Sequence, residues 1–234
     1  MISGRGGTKP EISVVVPLHA GVENVEGIRA TVGTARTAVE TIYVVDTTLR
    51  GAMPPAEDDE TVIFIENRGR GYNLREGARH ARGDVIVFLH ADTELPRGWD
   101  DAIQEALRDD RVIGGAFSLR FNPDSLFLRL VVMGSNMLIR LMDRYSGDRA
   151  MFIRAQPVRE HLDVLDVPIM EDTELSIFMR QHGKTVLLPG EVVTSAATFV
   201  QHGFIRNTLR IIKCSLWYAV GGDLQDIYDY YYRR

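Results

Sequence analysis

One cysteine, Cys214, is all that 234 residues provide. That excludes an internal disulfide and a thiolate zinc cluster, and it suits a reducing compartment. Cationic excess is lacking as well: 27 lysines and arginines stand against 32 aspartates and glutamates, a net charge of −5. A protein whose main partner is nucleic acid needs a basic face for phosphate, so that class drops out. No apolar run reaches the ~20 residues of a bilayer-spanning helix. The nearest, residues 126–142, is interrupted by Arg129, Asn136 and Arg140. It reads as an amphipathic helix packed on its own domain, with a membrane-surface role as the alternative. Residues 1–10 are polar and Gly-rich, without the apolar segment of an export signal, and are expected to be disordered. The expected setting is cytoplasmic. A peripheral contact at the inner membrane face and a homodimer are both left open. Internal repeats, low-complexity tracts and linkers are missing too, so residues 11–234 are read as one domain.

What is present alternates. Residues 12–17 (ISVVVP), 41–46 (TIYVVD), 61–65 and 84–89 (DVIVFL) are short apolar runs of the kind that form buried strands. Between and after them, residues 23–35, 71–82 and 96–108 have helical spacing, with Gly83 expected to close the second helix. Such alternation predicts a Rossmann-like, mainly parallel sheet with helices on both faces. The second half changes rhythm. Residues 114–121 alternate apolar and polar as a half-exposed strand does. Helices are expected at 126–144, 171–182 and 204–218, and strands at 149–154 and 184–188. The tail, with Tyr228, Tyr230, Tyr231 and Tyr232 among Asp223, Asp226 and Asp229, reads as a frayed helix end or a subunit contact.

Open sheets of this type bind ligands at the carboxyl ends of their strands. Asp46 ends the second strand, and Asp92 lies just past the fourth. A hard carboxylate at that rim can hold Mg²⁺ or Mn²⁺; capping of the next helix is the plainer role. Glu171, Asp172 and Glu174 crowd the first turn of a predicted helix, where acids offset the helix dipole by ~0.3–1 kcal/mol each.

The ordered set of Gly83-Asp84, Val85 to Leu89, His90-Ala91-Asp92-Thr93 and Leu95-Pro96-Arg97-Gly98-Trp99, followed by Met170-Glu171-Asp172, resembles the family 2 glycosyltransferases. His-Ala-Asp-Thr is similar to a subgroup described as radical-SAM- and selenodomain-associated transferases. The resemblance runs from about residue 12 to 210. It implies the nucleotide-diphospho-sugar transferase (GT-A) fold, with residues 11–110 as the nucleotide half and 111–234 as the acceptor half. It implies an inverting transfer from a nucleotide diphosphate sugar to an acceptor hydroxyl. Asp92 would be the metal ligand for Mn²⁺ or Mg²⁺. Asp172 would be the general base, with Glu171 as its substitute. Asp46, Asp84, His90 and Asp148 would contact the donor or acceptor. Gly114 to Phe117 resembles the strand lining the sugar pocket, and His202 falls where some relatives supply a metal-binding histidine.

Departures from the family pattern fall on the nucleotide side: Ala20-Gly21 after the first strand, Thr47-Thr48-Leu49-Arg50 after Asp46, and Arg75 in the following helix. They support an alternative, a catalytically degenerate module that binds a nucleotide or a partner. A nucleotidyltransferase is weaker still, because no lysine-bearing phosphate loop follows the first strand.

Overall fold

Every residue of the first strand is buried. Ile12–Leu18 (β1) runs through the centre of an eight-stranded sheet in the computed structural model, which describes residues 11–18, 24–66 and 68–232. The other strands are β2 Val39–Asp46, β3 Glu60–Ile65, β4 Val85–Phe88, β5 Thr93–Glu94, β6 Val112–Asn122, β7 Met151–Arg154 and β8 Lys184–Ser195. Their order across the sheet is β3-β2-β1-β4-β7-β6-β8-β5. The first four are mutually parallel, β7 opposes both β4 and β6, β8 runs parallel to β6, and β5 opposes β8.

Successive side chains of a strand point to opposite faces, so a sheet buried on both sides needs apolar residues at every position. Val14 and Val16 enter one core with Val25 and Ile28 of helix α1 (Val25–Val32) and Trp99 and Ile103 of α3 (Trp99–Ala106). Val15 enters the other, with Leu74 and Ala78 of α2 (Arg70–His80) and Leu175 and Met179 of α6 (Glu171–His182). Helices α4 (Leu126–Met142), α5 (Ala155–Glu160), α7 (Ala197–His202), α8 (Phe204–Ala219) and α9 (Leu224–Tyr232) complete the described chain. This is the expected α/β sheet with helices on both faces.

Several local expectations are corrected. Helix α2 stops at His80, because Ala81 turns extended (ψ 131°) toward β4; Gly83 instead donates its N–H to Ser13 Oγ at 2.8 Å. Strand β6, between β7 and β8, is half-exposed only in its second half: its first six residues are all buried, and burial alternates from Phe117 on. Strand β8 continues past Pro189 to Ser195, with a register shift opposite Phe117 and Ser118. The tyrosine tail is an ordered helix, α9, whose Ile227 is fully buried against Cys214 and Ile169. Residues 1–10, including the expected disordered segment, and Ala20-Gly21 lie outside the described residues.

Candidate active site at the strand ends

Parallel pairing carries the ends of β1 to β4 to one rim. Asp46 closes β2 opposite Ile65, and Leu89, just past β4, donates its N–H to Val15 O at 3.0 Å. Because β7 is antiparallel and its Met151 pairs with Phe88, the 3-10 turn Gly147–Arg149 that precedes it arrives at the same rim. The start of α2 arrives there too, following β3. Asp84 is the exception. It opens β4, with its N–H on Glu11 O and its carbonyl accepting from Ala155 N, at the sheet edge away from the others. About 13 Å of strand separates it from the His90 turn. The structure therefore does not bring Asp84 to the remaining site residues.

Asp92 sits in the turn after β4, its side chain 49% exposed. It does not cap α3, whose N-cap is Gly98. Its Oδ1 lies 3.4 Å from His90 Nδ1 and accepts from the Thr194 hydroxyl at 3.3 Å. Burial alone would raise its pKa. The His90 hydrogen bond and charge, a backbone N–H and Thr194 outweigh that and hold the carboxyl below the ordinary range. It is a carboxylate at neutral pH. No cluster of three or more histidine, cysteine, aspartate or glutamate side chains suited to a metal occurs among the described residues. One hard carboxylate beside an imidazole and a hydroxyl fits a divalent ion that draws the rest of its shell from substrate phosphates and water, as Mg²⁺ commonly does.

Glu171 and Asp172 begin α6 after Met170, which takes a left-handed φ of 66°. Glu171 is buried and pairs with Arg70 Nη1 at 2.9 Å. Burial pushes its carboxyl up, against the pull of Arg70, and Asp172 pushes it further. Burial works against charge on Arg70, yet Glu171, Asp172, Tyr232 and Asp148, in that order, hold its pKa above the ordinary value. Asp172 has different surroundings. It is half-buried, its Oδ2 accepting the Gly147 N–H at 3.0 Å and its Oδ1 accepting the Thr173 N–H at 2.7 Å. The Ser176 hydroxyl donates to Asp172 O and accepts the Tyr145 N–H, tying α6 to the segment before β7. Asp148 accepts from Ser146 at 2.6 Å. Through the Gly147 N–H the start of α6 is tied to the turn before β7, which lies at the same rim as the Asp92 turn. Of the two candidate bases, only Asp172 opens outward; Glu171, read as its substitute, is committed to Arg70.

Two glycines permit this. A Cβ on Gly147 would lie 2.3 Å from both Arg70 Nη atoms, and one on Gly71 would lie 2.1 Å from Val167 O. Arg70 is thus threaded past a bare backbone to reach Glu171. It is the principal residue that sequence reasoning missed; the only signal was Gly69-Arg70-Gly71 directly after a strand. Thr194 was missed because β8 was cut short at Leu188. Asn73, in the first turns of α2, is fully buried, and its amide has no hydrogen-bond partner among the described residues. On the nucleotide side, Asp46 Oδ1 accepts from Thr48 N and Oγ1, and Arg75 pairs with Asp166. The His202 side chain lies outside what is described.

A family model for Glycosyl transferase family 2 matches residues 35–153. Among solved structures, the mannosyltransferase PcManGT from Pyrobaculum calidifontis, in complex with GDP-Man and Mn²⁺, superposes with a TM-score of 0.66 at 16% identity, over 88% of this chain and 61% of that one. S. aureus TarS 1-349 in complex with UDP-GlcNAc gives 0.58 at 11% identity, over 79% of this chain and 58% of that one. At these identities the likeness is one of fold, that of the GT-A nucleotide-sugar transferases. The chain spans less than two thirds of the length of either. No curated protein matches the sequence.

Proposed function

The chain belongs to glycosyl transferase family 2, and from that premise we propose that it transfers a sugar from a nucleotide diphosphate sugar to an acceptor hydroxyl with inversion at the anomeric carbon. One observation carries the reading: Asp172, outward-facing and oriented by the Gly147 N–H, shares a rim with Asp92. Asp172 takes the proton of the acceptor hydroxyl. The acceptor oxygen bonds to the anomeric carbon from the face opposite the leaving group, and the electron pair of the breaking C–O bond departs with the nucleoside diphosphate. Asp92, with His90 beside it, would hold a divalent cation that neutralises charge on the leaving diphosphate. Glu171 and Arg70 position the first turn of α6, while Asp46 and Asp148 contact donor or acceptor hydroxyls from the rim. Residues 11–110 serve the nucleotide and 111–234 the acceptor. The His-Ala-Asp-Thr string supports the narrower subgroup resemblance.

The donor complexes of the two structural neighbours support a nucleotide-sugar substrate. A second reading, a binding module without turnover, is favoured by Thr47 to Arg50 and by the Arg75–Asp166 pair, all of them departures from the family pattern. A screen of UDP- and GDP-sugars for released nucleoside diphosphate, with and without Mn²⁺, separates the two. Calorimetric binding without release, unaltered in Asp172→Asn, would sink the enzymatic reading.

A further inference from the structure

We infer that α4 and α8 together form a docking face for an anionic lipid surface. On α4, Leu126, Leu130, Met133, Met137 and Leu141 follow one another at spacings of four and three, as Ile205, Leu209, Ile212, Leu216 and Val220 do along α8. Such spacing places each set on one stripe of its helix. A stripe of that kind belongs in a core, yet all ten side chains are exposed, from 48% at Ile212 to 82% at Val220. The first of these helices packs on its own domain, as expected, but by one face only, with Leu128 and Ile139 buried.

The two stripes lie along one flank. Phe127 meets Phe204 at 5.6 Å between ring centroids near the start of both helices, and Arg144 lies 6.0 Å from the Tyr218 ring near their ends. The helices therefore run in the same direction. No described helix is long and apolar enough to cross a membrane, so the face lies on a surface and does not insert across it.

Charge selects the occupant. Neither helix contains an aspartate or glutamate, in a chain whose net charge is −5. Arg206 and Lys213, both exposed, border the α8 stripe, the Lys213 ammonium lying 4.1 Å from the Tyr230 ring of α9. Arg129 on α4 is paired with Asp124. Ile227 of α9 packs with Cys214 on the side of α8 opposite the stripe, and Tyr230 of α9 meets Lys213. Beside α4, Asp124 and Glu191 line a cavity with Met133 and Met137, but each is paired with an arginine, Arg129 and Arg120. The α8 stripe, with cations alone beside it, matches an interfacial helix on anionic lipid. The Tyr218 hydroxyl donates to Glu174 at 2.7 Å, so the face is one hydrogen bond from the helix that bears Asp172. The inference does not depend on the proposed reaction.

Flotation with vesicles tests it, comparing pure phosphatidylcholine with mixtures containing about 30% phosphatidylglycerol. The full chain should float with the anionic vesicles and be displaced by high salt. Leu130→Glu/Leu216→Glu should lower the bound fraction at least about tenfold, and Arg206→Gln/Lys213→Gln about threefold or more, with far-UV spectra unchanged. All four positions are exposed, so the variants should fold. Wild-type protein that stays in solution at every composition overturns the proposal. So does sedimentation equilibrium showing a dimer that the Leu→Glu pair dissolves, since a second copy would then own the face.

Discussion

Two adjacent carboxylates, Glu171 and Asp172, differ only in what the fold puts beside them. Glu171 faces inward onto Arg70, and Asp172 faces the rim with backbone N–H groups on both oxygens. Replacing Asp172 with Asn keeps the shape and removes the proposed proton acceptor. Turnover should fall about 10²–10⁴-fold while donor binding by calorimetry holds within a factor of about three. A variant retaining a tenth of the rate would remove Asp172 from the chemistry. Arg70→Met should cost about 3–5 kcal/mol in urea unfolding, because it strands Glu171 as a buried charge. Adding Glu171→Leu should recover most of that loss; failure to recover would mean that Arg70 stabilises through Asp172 or Asp148 instead. At this scale the sequence was half legible. Asp92 and Asp172 could be found because each ends or begins an element in a recognisable string. Arg70 could not, because its partners come from α6 and the turn before β7. Asp84 matched the string and still falls at the other end of its strand.

Among the elements, β1, β2 and the connection into β4 are stapled by Glu40. Its carboxylate accepts from Ser13 Oγ, Arg82 N and Arg82 Nε at 2.6 to 2.7 Å, and it is buried. Burial raises its pKa, but the bonds from Ser13 and Arg82 outweigh that and the net shift is downward. The folded state therefore binds fewer protons here than the unfolded chain does. The contribution is complete above the unfolded value of about 4.3 and is lost as pH falls through the lower folded value. Glu40→Gln should lower stability by about 2 kcal/mol at neutral pH. The gap between variant and wild type should close in strong acid; a gap that stays constant would show that the charge on Glu40 is not what matters. The α/β alternation that places these strands was readable because each apolar run is short and bounded. The burial of β6 and the length of β8 were not. Ser118 and Arg120 suggest a one-sided strand, which holds only beyond Phe117, and Pro189 mimics a stop although the strand runs on past it.

For the molecule as a whole, α9 acts as the outer cover of a small third core built from Ile169, Cys214 and Ile227. Burial pushes the Cys214 thiol up, against the opposing pull of Arg210 and Lys213, and leaves it 1% exposed. The intact chain should react slowly with a chromogenic disulfide reagent. A chain ending at Gly222 should react at least about tenfold faster; equal rates would mean that α9 does not cover this core. Net charge and composition argue against a basic face at this scale, but they average away two helices, α4 and α8, that carry no acid. Nothing in the α4 periodicity tells which side of the helix the domain will cover.

Arg70 reaches Glu171 only by passing the bare backbone of Gly147, and Gly147 in turn holds Asp172. Three stretches of polypeptide, distant from one another in the order of synthesis, must therefore dock before a proton acceptor is poised. A full-length chain arrested midway in folding would own every acid and lack the poised base proposed above. On dilution from denaturant, transfer activity should return later than helical ellipticity does.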